Sequence, residues 1–177
     1  MSSITLDIET LSTRPNATIL SIAAIKFNEF TPETEVNSDT FHLLVDLDSQ
    51  DGRDISDSTV AWWGQQDPKV QAEVFNEENR IPLKDAMQAL TKFVWQCNRL
   101  WCQGPVFDIC ILENAFNQVG LPVPWQFYQI RDSRTLADIV NVPLDAATHD
   151  ALADCHLQIL GVKRGLKQLN VTAFTRK

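Results

Sequence analysis

Asp7 and Glu9 stand two residues apart in SITLDIET, among Ile4, Leu6 and Ile8. Side chains alternate along an extended strand, so both carboxylates leave the same face. Acids in an apolar strand are electrostatically expensive unless a cation or a base neutralises them. The pair alone says little: with 15 Asp and 8 Glu in 177 residues, roughly 0.7 Asp-x-Glu matches arise by chance. A second group is more telling. In HDALAD, His149 and Asp154 bracket Ala151, and His-x-Ala-x-x-Asp is expected only about 0.02 times in this composition. A third segment, GPVFD, sets Asp108 in the first turn of a helix beside Phe107, Ile111 and Leu112. Four hard oxygen donors and one imidazole, gathered together, suit divalent cations and proton transfer at a phosphodiester.

Distant segments must fold to bring these groups together. Residues 3–8, 18–27 and 40–47 are apolar and β-branched, and turn chemistry separates them at Arg14-Pro15-Asn16 and Thr31-Pro32-Glu33. They predict three strands in an antiparallel meander. Asp57 or Ser58 is the expected cap of a short helix containing Ala61, Trp62 and Trp63, and Asp67-Pro68 has the cap and first-turn signature of another. Leu83, Ala86, Met87, Leu90, Phe93 and Val94 repeat at helical spacing. RLWCQ (99–103) reads as a strand broken by Gly104-Pro105, and the helix after it stops at Gly120. Leu152, Cys155, Ile159, Val162, Leu166 and Leu169 mark a long last helix with Thr148 as expected cap; Asp154 and Gln158 share a stripe beside the apolar one. This order describes an α/β protein with a mixed sheet. No GxGxxG or GxxxxGK[ST] segment is present.

DIET, FD opening a helix, and HDALAD, in that order and over nearly the whole chain, resemble the DEDDh (DnaQ-like) 3′–5′ exonuclease superfamily. AWW (61–63) and RDSRT (131–135) are similar to a small phage and bacterial subgroup of such enzymes. The resemblance implies a ribonuclease H-like fold: a mixed five-stranded sheet, its first three strands antiparallel, flanked by helices, with residues 1–177 as one domain. It implies Asp7, Glu9, Asp108 and Asp154 as ligands of two Mg²⁺ or Mn²⁺, with Asp7 bridging, and His149 as general base. It also implies Thr10 at the terminal sugar and Leu11 wedged between the last two bases. The expected activity is removal of 5′-mononucleotides from single-stranded 3′ ends, with DNA slightly favoured through the phage subgroup. An exoribonuclease or oligoribonuclease is the alternative, and a non-catalytic nucleic-acid-binding module on the same fold is a more distant one.

Trp62 and Trp63, adjacent on a helix, point about 100° apart, so one is left for stacking on a base while the other packs. Phe107 joins them as a substrate-facing residue. Arg131 and Arg134 either bind phosphate or pair with Asp132, Asp138 and other acids. The net charge of −8 excludes a protein that coats polyanions through its overall charge, so nucleic acid must be held locally. Lys163, Arg164, Lys167, Arg176 and Lys177 form the only net-basic region, read as a solvated face. DLDSQDGRD (46–54) lacks the glycine position and closing Glu of a calcium loop and reads as a flexible acidic loop. The four cysteines have neither zinc nor redox-motif spacing, and no segment reads as a signal peptide or membrane span. A reduced, cytoplasmic protein with no membrane partner is expected; a homodimer is left open.

Overall fold

The computed structural model describes residues 3–35, 39–141 and 148–174. Five strands form one mixed sheet in the order β3-β2-β1-β4-β5. They are β1 (Ser3–Thr10), β2 (Ile19–Phe27), β3 (Thr40–Leu44), β4 (Arg99–Cys102) and β5 (Ile130–Asp132). The first three are antiparallel neighbours, as the spacing of the apolar segments predicts; β4 and β5 add parallel to β1. Six α-helices surround the sheet: α1 (Asp57–Trp63), α2 (Pro68–Val74), α3 (Leu83–Val94), α4 (Pro105–Gln118), α5 (Ser133–Val140) and α6 (Ala151–Gln168).

Alternation along β1 divides the molecule. Ile4, Leu6 and Ile8 join Leu83, Met87, Leu90, Ile111, Leu112 and Phe116 in the core beneath α3 and α4. Thr5, Asp7 and Glu9 take the opposite face, which α6 covers with Ala151, Cys155, Ile159 and Val162 packed on Ala23, Ile25 and Trp101. β2 is therefore covered on both sides, and eight of its nine residues are buried. α4 begins abruptly after β4 because Gly104 adopts φ 109°, a conformation open to glycine, and Pro105 follows in the first turn. That sharp reversal sets Asp108 at the sheet's end. All four cysteines are free.

Several expectations need correction. Ser56, not Asp57 or Ser58, precedes α1, and its hydroxyl pairs with Ser58 Oγ at 2.8 Å instead of capping. α6 starts later than Thr148 because His149 takes φ 60°, outside the helical region; Asp150 is the cap, accepting from Leu152 N and Ala153 N at 2.9 and 3.1 Å. RDSRT proves to span β5 and the start of α5, with Asp132 accepting from Arg134 N at 3.0 Å. The 46–54 segment is pinned, not loose. Gln50 donates to Ile19 O at 2.8 Å, and buried Arg53 donates to Ala17 O at 2.7 Å and to Asn114 and Gln118 of α4. In the basic region Lys163 is tied to Thr31 Oγ1 and Pro32 O, and Arg164 to Glu33; Arg176 and Lys177 lie outside the described residues.

Candidate active site

Three segments, expected from their types to converge, meet at the end of β1. Asp7, Glu9, Asp108, His149 and Asp154 line one cleft of about 170 Å³, together with Phe107, Gln103, Arg134, Leu157 and Gln158. Glu9, His149 and Asp154 each offer an atom within 4.8 Å of the other two. β1 supplies Asp7 and Glu9 from its α6-facing side, the first turn of α4 supplies Asp108, and the start of α6 supplies Asp154.

The loop before α6 is organised by one of these acids. Asp154 Oδ1 accepts from Thr148 N at 2.7 Å and Thr148 Oγ1 at 2.8 Å, and Oδ2 accepts from His149 N at 3.1 Å. The same side chain thus holds the imidazole's backbone in its left-handed conformation. The His149 ring makes an edge-to-face contact with Trp62, with centroids 4.7 Å apart and planes at 86°.

Gathering these acids out of water is unfavourable while they are charged. Burial, then Asp108, Glu9 and Asp154, raises Asp7 well above the ordinary carboxylate range, and a hydrogen bond from Gln158 opposes the rise. Burial, then Asp154, Asp108 and Asp150, pushes Glu9 up to about 8. Burial raises Asp108 to about 7 against backbone hydrogen bonding at Asp108 and Ile8 and the charge of Arg134. The donor set is rich in hard oxygens, and among the described residues Arg134 is the only Lys or Arg lining the cleft. This is the chemistry that Mg²⁺ or Mn²⁺ fits: a cation replaces the protons that the crowded carboxyls otherwise retain.

An adjoining pocket of about 320 Å³ shares Glu9 and Phe107 with the cleft and is lined further by Thr10, Thr13, Ser58, Thr59, Trp62 and Trp63. The two tryptophans divide as their angular separation requires. Trp63 is buried and its Nε1 donates to Thr10 O at 2.9 Å, while Trp62 is 38% exposed. Leu11 does not reach the pocket. It packs with Leu20, Trp63 and Val74 in a small satellite core, which a wedge between bases would require it to leave. Arg131 lies away from the cleft, donating to Tyr128 O and Ile130 O at 2.7 and 2.8 Å, whereas Arg134 reaches it and donates to Gln103 O at 3.3 Å. Neither arginine forms the expected ion pairs with Asp132 or Asp138 among the described salt bridges. Sequence reasoning set Gln158 on the stripe of Asp154 without giving it a role at the site, and of the Thr and Ser residues lining the second pocket it named only Thr10.

Residues 2–164 match the family described as the 3′–5′ exoribonuclease Rv2179c-like domain. No curated protein matches the chain. Among solved structures it is similar to Pop2p of S. pombe in its Mg²⁺- and Mn²⁺-bound form, at 12% identity and a TM-score of 0.64 over 98% of this chain and 86% of that one. It is also similar to the nuclease domain of 3′hExo, a DEDDh family member bound to rAMP, at 14% identity and a TM-score of 0.60 over 99% and 96% of the two chains. The RNase domain of yeast Pop2 follows at 12% identity and a TM-score of 0.60, over 93% of this chain and 76% of that one. At these identities the likeness is one of fold, and the fold is ribonuclease H-like. Among the described residues no helix is long and apolar enough to cross a membrane.

Proposed function

The chain belongs to the Rv2179c-like 3′–5′ exoribonuclease domain family and is a 3′–5′ exonuclease; on that premise we propose that it shortens single-stranded RNA from the 3′ end, releasing 5′-mononucleotides. RNA is preferred to the DNA that the phage-like segments imply because the family description names an exoribonuclease and because Thr10, Thr13, Ser58 and Thr59 line the pocket beside the cleft. The observation that supports the chemistry most directly is the meeting of Asp7, Glu9, Asp108, Asp154 and His149 on one small cleft.

In this reading the four carboxylates hold two Mg²⁺ or Mn²⁺, which supply charge stabilisation at the scissile phosphate when bound. His149 accepts the proton of the attacking water. Trp62 keeps its ring on the cleft side of α1 and offers its exposed surface to the terminal base. Trp63 fixes the backbone of Thr10, against which the terminal sugar rests, and Phe107 closes the boundary between the two pockets. Arg134, on the rim, meets the phosphate on the 5′ side of the scissile bond. The leaving group is the 3′-hydroxyl of the penultimate nucleotide.

The test uses 5′-labelled single-stranded RNA and DNA of one sequence, incubated with the full chain and Mn²⁺ or with a chelator. Stepwise, Mn²⁺-dependent shortening from the 3′ end, faster on RNA, is expected. Equal or faster loss of DNA overturns the substrate assignment; inert substrates with every divalent metal overturn the activity at this site.

A further inference from the structure

We propose that Gln158 is a positioning residue that orients the Asp7 carboxylate for cation binding, and that Thr5 holds the other end of the Gln158 amide. The inference rests on the metal-centre reading given above. Gln158 lies on α6 with 3% of its surface exposed, and it bridges two residues on the same face of β1. Thr5 Oγ1 donates to Gln158 Oε1 at 2.8 Å, and Gln158 Nε2 donates to Asp7 Oδ1 at 2.8 Å.

A primary amide has one accepting end and one donating end, so a buried one can stand in two senses. A hydroxyl can donate or accept, whereas an ionised Asp7 oxygen only accepts; Asp7 therefore takes the donating end, and Thr5 donates to the accepting end. The reverse sense would set Gln158 Oε1 against an ionised Asp7 oxygen at hydrogen-bond distance, which is repulsive. The amide therefore engages one side of Oδ1 and fixes the plane of the carboxylate, and Oδ2 is presented in one orientation. Thr5 is fully buried and Gln158 nearly so, so water does not compete for the bond between them. A carboxylate of fixed orientation binds a cation without first losing rotational freedom, and such supporting hydrogen bonds characteristically change metal affinity by about 10- to 100-fold.

The experiment titrates Mn²⁺ alone, without nucleic acid, into the full chain and follows the rise in Tm. Gln158→Leu, similar in volume but without a donor, is expected to need about tenfold more Mn²⁺ for half of the rise. Gln158→Glu keeps the shape and the Thr5 bond but sets a carboxylate against Asp7; it serves as the second variant and is expected to weaken Mn²⁺ binding as well. Thr5→Val is expected to shift the midpoint in the same direction by less, and Thr5→Ser to restore it. A midpoint in both Gln158 variants within about twofold of the parent overturns the inference while the metal centre stands. No Mn²⁺-dependent rise in the parent chain overturns the metal centre and this inference with it.

Discussion

At the scale of single residues, His149 carries the sharpest expectation. It sits between Asp154, which bonds its backbone amide, and Trp62, which packs on its ring, so its removal leaves the carboxylates in place. His149→Ala is expected to lower the initial rate of 3′ shortening by about 100-fold or more, while the Mn²⁺-dependent rise in Tm persists. Loss of that rise would make the imidazole a ligand, a role its closeness to Glu9 and Asp154 also allows. Asp7→Ala is expected to remove both activity and the Mn²⁺ response, measured in the same two assays. The five residues that meet in the cleft could be picked out in the sequence because their types stand at telling spacings in three short motifs. Their supports could not. Gln158 and Thr5 meet across 153 positions of sequence, and only the packing of α6 on β1 brings an ordinary glutamine to an ordinary threonine.

At the scale of elements, the strands and long helices followed from apolar period, since β1 alternates and α3 repeats at three and four. Helix starts were less legible, because several polar residues compete for each cap. At α6 the run Thr148, His149, Asp150 offers two capping side chains; the positive φ of His149 and the demands of Asp154 on Thr148 leave Asp150 as the cap. The 46–54 segment misled for a related reason. Asp48 and Asp51 are exposed, while Gln50 and Arg53 turn inward and satisfy the carbonyls of Ile19, at the start of β2, and of Ala17 just before it. Burial lowers the Arg53 guanidinium to about 10, so it stays charged near neutrality and depends on its oxygen partners. Arg53→Met leaves Ala17 O without its side-chain donor and removes the guanidinium bonds to Asn114 and Gln118 of α4, so that the bond from Gln118 to Asp51 O remains to tie this segment to that helix. The expected loss is about 2–4 kcal/mol in urea unfolding, with the Mn²⁺ midpoint unchanged. A midpoint of unfolding equal to the parent's would count against the anchoring role.

For the molecule as a whole, the clustered acids couple stability to pH and to metal. Asp7, Glu9 and Asp108 keep their protons to higher pH in the folded state than in the unfolded chain, first through burial and then, for Asp7 and Glu9, through mutual repulsion. Between the unfolded carboxylate range and about 8 the native state binds more protons, so its stability falls as pH rises through that window. In chelator, Tm is expected to drop between about pH 5 and about pH 8.5, and Mn²⁺ to restore more of it at the alkaline end. A Tm in chelator that stays level or climbs over that range would show that the acids do not strain the metal-free fold. The fold class itself was readable because three antiparallel strands followed by a parallel addition suit few arrangements. β5 was not located in advance, since a three-residue strand has too little pattern to detect.

The contact between Trp62 and His149 has an optical consequence. An indole partly open to solvent and touching an imidazole emits according to what occupies its free side. Trp62 is one of five tryptophans, so the difference in emission between the parent chain and Trp62→Phe isolates its signal. On the proposed reading, that signal follows a nucleotide as it arrives and leaves, in unmodified protein and in real time.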